Sequence, residues 1–425
     1  MIGAVLVAAL LAAPGDSIPR ISLAEALNRA TRLDPNYVSA LASVSSADWA
    51  RRSAFATLVL PAISVATDYT TYSTEIFNTG TAQPAKTIVT ARADARFELF
   101  NGGRHLADVR RTRAELESAV ATEVQVRYIS ALQTESAFYA ALSEQELRGV
   151  AQDRLRRALE QLVVARARVV SGAVVQTDSL QILLEVNRAR VGLIREEARL
   201  NVARLQLGRR VGENGPVEAL PADTLHAPAL PLSLPEAIAV ALEQGPDYRI
   251  ARANERGAVA ALRAQKASYF PTLALSANIS SFDERYFPTA LTRSFASLSL
   301  SFPLWNNFAR ELGVARARAG RDVAQAIRSD VERAAAADVT DAYQAYETAR
   351  AATDYAVQGL TIAQETFRVQ QARYRAGAST ILDLLEAQTG LTEAESELVQ
   401  SRYAIRLALA GLEAVLGRRL FELKE

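Results

Sequence analysis

The segment Leu23-Ala24-Glu25-Ala26-Leu27 decides the fold, because a near copy of it, Leu234-Pro235-Glu236-Ala237-Ile238, lies 211 residues further along the chain. The landmarks that follow return in the same order: Pro35, Tyr37, Leu60-Pro61 and Leu99-Phe100-Asn101 correspond to Pro246, Tyr248, Phe270-Pro271 and Leu304-Trp305-Asn306. A period this long exceeds that of solenoid and propeller repeats. The sequence therefore predicts a tandem duplication, two fused copies of one folding unit.

The duplication sets the predicted domain boundaries. The first repeat covers residues 21–212 and the second covers residues 234–425. A proline-containing connector, residues 213–233, joins them. Residues 1–20 precede the first repeat and begin with an uncharged apolar run, residues 1–13. That run is too short to span a bilayer as a helix and favours a secretory signal peptide over a buried N-terminal helix.

The composition of the 425 residues excludes several classes of protein. A hydrophobic content of 49% predicts an ordered chain, and a net charge of +1 does not favour nucleic-acid binding. Cysteine is absent, which excludes disulfides, thiolate nucleophiles and lipid-modified cysteines. The two histidines, His105 and His226, stand in no metal-binding or catalytic spacing, and no phosphate-binding, serine-hydrolase or metallopeptidase motif occurs. We therefore expect no enzyme activity, no metal and no cofactor.

Very long helices follow from the distribution of proline and glycine. Residues 103–171 contain no proline and few glycines, and apolar residues recur there at helical spacing. Such a helix would be about 100 Å long. A helix of that length cannot fold back into a compact globule, so it must pack along similar helices. The second repeat supplies one at about residues 307–375.

Shorter segments before each long helix alternate between mostly apolar and mostly polar positions. The apolar positions include Ile63, Val65, Ala93, Ala95, Phe97, Leu273, Leu275, Ala277, Leu298 and Leu300. Strands of about ten residues with one apolar and one wet face are typical of transmembrane β-barrels, although a soluble antiparallel sheet gives the same alternation. Aromatic residues near the strand ends, such as Tyr69, Phe282, Phe295 and Trp305, suggest interfacial girdles. Polar loops at Thr70–Thr87 and Asp283–Arg293 would join the two strands of each pair. Four strands cannot close a membrane barrel, so several chains would have to share one.

These features resemble the TolC-like outer-membrane efflux proteins from about residue 21 to residue 420. The resemblance rests on the duplication, on the segments Leu99-Phe100-Asn101-Gly102-Gly103 and Pro303-Leu304-Trp305-Asn306, and on Arg373-Tyr374-Arg375-Ala376-Gly377 with Ile381-Leu382-Asp383-Leu384-Leu385-Glu386-Ala387. It implies a mixed α/β membrane protein. Three chains, with four strands each, would form a twelve-stranded outer-membrane barrel that continues as an α-helical coiled-coil tunnel in the periplasm of a Gram-negative-type cell.

The resemblance also implies a function and partners. The homotrimer would be a passive exit duct, inserted in outer-membrane lipid, that receives cargo from an inner-membrane pump through a periplasmic adaptor. Two alternatives remain at this point. One is the outer-membrane duct of type I protein secretion, and the other is a soluble structural coiled-coil protein.

The same resemblance assigns site residues at the periplasmic tips. The adaptor contact would lie at Gly172, Ala173, Gly377 and Ala378, although a left-handed helix cap explains both glycines equally well. Asp383 and Glu386 lie three residues apart on one helical face and would form the lumen constriction, a ring of six carboxylates in a trimer that favours cations. Their alternative role is interaction with the helix dipole.

Tyr374 and Asp178 complete the set of gate candidates. They match family positions that hold the tips closed, and a tyrosine hydroxyl can form a charge-assisted hydrogen bond with a carboxylate. Simple helix packing of Tyr374 is the alternative. Ser379 departs from the pattern, because some relatives carry an arginine there.

Overall fold

The computed structural model describes residues 18–78, 82–172, 175–221, 229–283 and 291–421. Its helices are α1 (Leu23–Leu33), α2 (Pro35–Val59), α3 (Arg104–Val170), α4 (Gln176–Val211), α5 (Leu234–Gln244), α6 (Pro246–Lys266), α7 (Ala309–Arg375) and α8 (Ile381–Leu416). Its strands are β1 (Arg20–Ile21), β2 (Ala62–Asn78), β3 (Gln83–Phe100), β4 (Glu218–Ala219), β5 (Thr272–Asp283) and β6 (Leu291–Ser301). The apolar run predicted to be a signal peptide and His226 lie outside the described residues.

The long helices form where the sequence predicts them. Helices α3 and α7 contain 67 residues each, and they begin and end within two residues of the predicted limits. Helices α4 and α8 contain 36 residues each, and α1 and α5 contain 11 each. Three of the four helix pairs of the two halves are therefore equal in length, and the fourth differs, with 25 residues in α2 and 21 in α6.

The described residues divide into two compact units. The helical unit contains the described residues up to Val38, Gln125–Ala241 and the described residues from Ala337 onward. The sheet unit contains Ser39–Val124 and Leu242–Ala336. Each unit takes segments from both predicted repeats, so the boundaries of the compact units differ from those of the repeats.

The sheet unit contains an antiparallel sheet with the strand order β2-β3-β5-β6. Its register places the predicted apolar positions side by side, as in the row Ile63, Ala95, Ala277 and Ala296 and the row Phe97, Leu275 and Leu298. The opposite face carries Ser64, Asp94, Asn278, Arg96, Ser276 and Ser297. We call these the apolar face and the polar face, and the predicted separation of the two is confirmed.

Two expectations about the strands are wrong. Most of the segment Thr70–Thr87, expected to be a polar loop, is strand where the structure describes it, because β2 reaches Asn78 and β3 begins at Gln83. Threonine, tyrosine and isoleucine in this segment favour extended backbone despite its polarity. Phe282 and Phe295 lie on the polar face, where Phe295 pairs with Asn278, so neither belongs to an aromatic girdle of the apolar face.

The core of the helical unit is divided along its helices. One cluster contains Phe138, Tyr139, Leu207 and Tyr403. A second cluster, near the turns between the long helices, contains Ile182, Phe367, Tyr374 and Leu384. No helix among the described residues combines the length and the hydrophobicity needed to cross a membrane.

Candidate functional site

Two turns, at the ends of α3 and α7, form the predicted tips. Gly172 and Gly377 have φ angles of 71° and 78°, in the left-handed region that glycine adopts without strain. Ala378 closes the second turn by donating its backbone N–H to the Arg373 carbonyl at 2.8 Å, and its side chain is exposed. Ala173 lies outside the described residues. The expected left-handed reversal is therefore present at both glycines.

Asp383 and Glu386 both lie exposed on the first turns of α8. The Asp383 carboxylate accepts a hydrogen bond from the Thr380 backbone N–H at 2.9 Å, and the Asp383 N–H donates to Thr380 Oγ1 at 3.2 Å. These reciprocal bonds form a capping box. The bonds from the Thr380 backbone and side chain hold the pKa of Asp383 below its ordinary value. The Asp383 carboxylate is therefore ionised and held in place, and it also caps the start of α8.

The acidic surface extends further along α8 than the predicted pair. A groove of about 490 Å³ between α7 and α8 is lined by Asp383, Glu386, Glu393 and Glu397. Among the described residues, none of Glu386, Glu393 and Glu397 forms an ion pair with a basic side chain. From Asp383 through Glu386 and Glu393 to Glu397, successive acidic residues are three, seven and four positions apart, which places all four on one helical face. That spacing is the signal in the sequence from which Glu393 and Glu397 could have been predicted beside Asp383 and Glu386.

Tyr374 lies in the apolar cluster near the turns, and only 2% of it is exposed. Burial raises the pKa of its phenol, and the nearby charge of Asp178 raises it further, while Arg168 acts in the opposite direction. The Tyr374 hydroxyl makes no hydrogen bond to Asp178, which lies half-buried in the first turn of α4. The structure thus brings Asp178 near Tyr374 without the direct bond that the resemblance implied.

Arg168, in the last turn of α3, makes the contacts that join the two turns. Its guanidinium donates a hydrogen bond to the backbone carbonyl of Tyr374 and lies 4.8 Å from the centroid of the Tyr374 ring. One guanidinium nitrogen is also 3.4 Å from the point that a Cβ on Gly377 would occupy. Arginine suits this position because its planar, permanently charged guanidinium can stack on an aromatic ring and donate a hydrogen bond at the same time. No local pattern in the sequence predicts this role of Arg168, because its partner lies 206 residues away.

Comparison with known proteins places this fold in a family. The family model described as outer membrane efflux protein matches residues 26–213 and again residues 237–418. The chain belongs to the outer membrane efflux protein family. The two matches together cover most of the chain, including the candidate tips and the acidic groove.

Two known proteins are similar to this chain in sequence, and one solved structure is similar to it in fold. The pyoverdine export outer membrane protein OpmQ of Pseudomonas aeruginosa is 29% identical over 348 residues, 77% of this chain and 69% of that protein. Protein CyaE of Bordetella pertussis is 32% identical over 199 residues, 46% of this chain and 41% of that protein. The crystal structure of CusC superposes with a TM-score of 0.80 at 18% identity, covering 93% of this chain and 92% of the other, which shows a shared fold.

One histidine of this outer membrane efflux protein lies beside an acidic side chain. His105 Nε2 lies 3.3 Å from Glu98 Oε2 at the end of β3. Within the described ranges, no three histidine or acidic side chains converge as a metal site. The candidate functional site thus consists of the acidic face of α8 and the contact between Arg168 and Tyr374.

Proposed function

We propose that this chain is a passive outer-membrane duct of a tripartite efflux system. Three copies close one twelve-stranded barrel, and their helices form a periplasmic tunnel. Cargo enters from an inner-membrane pump through a periplasmic adaptor that docks at the turns around Gly172, Gly377 and Ala378. Family membership supports this duct over a soluble structural coiled-coil protein.

The open four-stranded sheet carries the proposal. Its apolar face presents exposed side chains such as Ile63, Val65 and Leu300, and β2 and β6 are its two edge strands. Unpaired strand edges in lipid leave backbone groups without hydrogen bonds, so the sheet has to close on further strands. Bacterial membrane barrels contain at least about eight strands, which one copy does not supply. Three copies, pairing β6 of each with β2 of the next, give twelve.

The helices offer matching surfaces for a second copy. Exposed apolar residues recur on α4 at the 3.5-residue spacing of a coiled coil: Leu180, Leu184, Val191, Ile194 and Leu205. Exposed Tyr355, Ile362 and Val369 recur on α7 every seven residues. Copies related by rotation about the tunnel axis are not shifted along that axis. Residues of different copies that are equally far from the turns therefore lie at the same position along the axis. Val191 on one copy and Ile362 on the next are nearly level, because they lie 15 and 13 residues from their turns.

Cysteine cross-linking tests this assembly, because the natural chain contains no cysteine. The variant with both Val191→Cys and Ile362→Cys is expected to give dimers and trimers on a denaturing gel after treatment with a short bismaleimide. Each single variant is the matched control and should remain monomeric. A double variant that stays monomeric, although the protein is folded, would contradict this α4–α7 interface.

A charge placed on each face of β6 tests the membrane assignment. Ala296→Arg is expected to prevent recovery of the protein in the outer membrane, because Ala296 lies at the middle of β6 and an arginine on a lipid-facing strand costs about 2–4 kcal/mol near the bilayer midplane. Ser297→Arg is the matched control, since the neighbouring side chain points to the polar face and should remain hydrated. Equal membrane recovery of the two variants would contradict lipid contact at the apolar face.

The gate assignment belongs to the same proposal. In a trimer, Asp383 and Glu386 form a ring of six carboxylates that favours cations. We assign Tyr374 and Asp178 to the same gate, and the hydrogen bond from Arg168 to the Tyr374 carbonyl supports a role for Arg168 in holding the turn that precedes Asp383. The three helix pairs of equal length and the two family matches support the proposed repeats at residues 21–212 and 234–425, joined by the connector at residues 213–233.

A further inference from the structure

Two glutamines are buried in the apolar cluster near the turns. Gln161 on α3 is 4% exposed, and Gln388 on α8 is 1% exposed. Leu162 and Leu391, close to them along the chain, belong to that cluster. Among the residues that the structure describes, neither side-chain amide has a hydrogen-bond partner for its oxygen or its nitrogen. Burying an amide without a partner is unfavourable, so packing alone does not explain these two residues.

A small cavity beside Gln161 has room for a hydrogen-bond partner. It lies between α3, α7 and α8, and its walls include Gln161, Tyr374 and Leu384. The space open to the centre of a water molecule is about 10 Å³, close to the least that one water needs. The hydroxyl of Tyr374, which is itself buried, makes no hydrogen bond of ordinary geometry within the described ranges. The cavity therefore combines space for one water with polar groups that can bind it.

The two glutamines lie at similar levels of the helix bundle. Arg157 on α3 donates two hydrogen bonds, of 2.9 and 2.7 Å, to the Glu395 carboxylate on α8, which aligns the two helices. From this ion pair toward the turns, Gln161 is four residues along α3 and Gln388 is seven residues along α8, roughly 6 Å and 10 Å. Gln388 also follows Leu384 of the cavity wall by one helical turn. We call Gln161 and Gln388 the glutamine layer.

The duplication shows that the equivalent helix carries no amide at this place. The turn glycines Gly172 and Gly377 establish that equivalent positions of the long helices are 205 residues apart. At this offset, Gln388 on α8 corresponds to Leu183 on α4. A helix of the same length and position along the repeat therefore forms with leucine there. The amide of Gln388 accordingly has a role other than helix formation.

We propose that the glutamine layer binds buried water and thereby sets how readily the turns separate. In the cavity, one water bridges the Gln161 amide and the Tyr374 hydroxyl, and Gln388 extends the polar layer to α8. A bridging water supplies hydrogen bonds but is immobilised, so a hydrated layer holds the helices together less firmly than a dry apolar core. When the helices separate, the amides exchange this water for bulk water. The effect on opening rests on the proposed function, whereas the hydration does not.

A high-resolution crystal structure of the full-length native protein tests the hydration directly. The expected result is an ordered water within hydrogen-bond distance of both the Gln161 amide and the Tyr374 hydroxyl. A direct hydrogen bond between the Gln161 and Gln388 amides, or a cavity filled by a side chain, would overturn the proposal. This arm needs no variant, so it decides the hydration even if a substitution prevents folding.

Replacing both glutamines by leucine tests the consequence. Gln161→Leu with Gln388→Leu is expected to raise the midpoint of denaturant unfolding, because apolar side chains then fill the core without polar groups to satisfy. In planar bilayers, the fraction of time spent in the open state should fall about fivefold or more. Gln152→Leu, at an exposed position of α3, is the matched control and should change neither measurement.

The outcomes separate this inference from the proposed function. Bound water, together with a leucine variant that is more stable and opens less, supports the hydrated layer. A leucine variant that is less stable than the native chain, or does not fold, overturns it, because the amides would then make bonds that folding needs. A variant that is more stable but opens as often overturns the role in opening. A native protein that carries no current overturns the proposed function, while the crystal structure and the unfolding midpoint still decide the hydration.

Discussion

Replacing Arg168 by alanine is expected to raise the single-channel conductance of the duct. The substitution removes a charged hydrogen bond to the Tyr374 carbonyl and the stacking of the guanidinium on the Tyr374 ring. A hydrogen bond to a charged group contributes about 1.5–3 kcal/mol, which corresponds to roughly a tenfold to hundredfold change in an equilibrium. If this contact holds the turns closed, its loss shifts the population toward the open duct. Planar-bilayer recordings of the purified variant measure the change.

Two controls define what the Arg168 result means. Arg168→Lys keeps the positive charge but loses the planar fork, so it should give an intermediate conductance. Arg166→Ala removes an exposed arginine two residues earlier and should behave like the native protein. An Arg168→Ala conductance equal to that of the native protein would show that the arginine does not hold the gate.

Neutralising the acidic pair is expected to abolish the cation preference of the duct. In the proposed trimer, Asp383→Asn with Glu386→Gln removes six negative charges from the proposed ring. Asparagine keeps a side-chain oxygen that can accept from the Thr380 N–H, so the start of α8 is preserved and the charge alone changes. The reversal potential in a salt gradient should move from the cation side toward zero.

The control for the acidic pair removes the same number of charges elsewhere. Asp153→Asn with Glu160→Gln neutralises two exposed acids of α3 that lie beside Arg156. This variant should keep the native reversal potential. An equal shift in both double variants would mean that total charge, rather than the ring, sets the selectivity.

The pH dependence of selectivity follows from the pKa of Asp383. Hydrogen bonds from Thr380 hold that pKa below its ordinary value, so Asp383 stays ionised in mildly acidic solution. The native cation preference should therefore persist there and decline only as the pH falls through the lowered pKa. Thr380→Ala removes the side-chain part of the capping box and should move this decline to higher pH.

The helices were predictable because their determinants are local. The absence of proline from residues 103–171 and the left-handed glycines at the turns set the limits of α3 and α7 to within two residues. The alternation of small and polar residues likewise predicted which face of each strand is apolar. The extent of β2 and β3 was less predictable, because a polar segment that contains threonine and tyrosine is compatible with either a loop or a strand.

The candidate site was only partly predictable because its contacts are distant in sequence. Asp383 and Glu386 stand in a recognisable local pattern, whereas Arg168 contacts a residue 206 positions away. No spacing rule connects those two positions. The left-handed backbone of Phe308, with a φ of 60°, was not predictable from its own residue type, because phenylalanine rarely adopts it. Its alignment with Gly103 in the first half of the chain is the one indication in the sequence.

The current carried by the native protein across a planar bilayer tests the central claim most directly. Purified full-length chain added to one side should insert and give small, cation-preferring single-channel steps, as a duct with narrowed turns and an acidic ring requires. Well-folded protein that neither inserts nor carries current would contradict the outer-membrane duct.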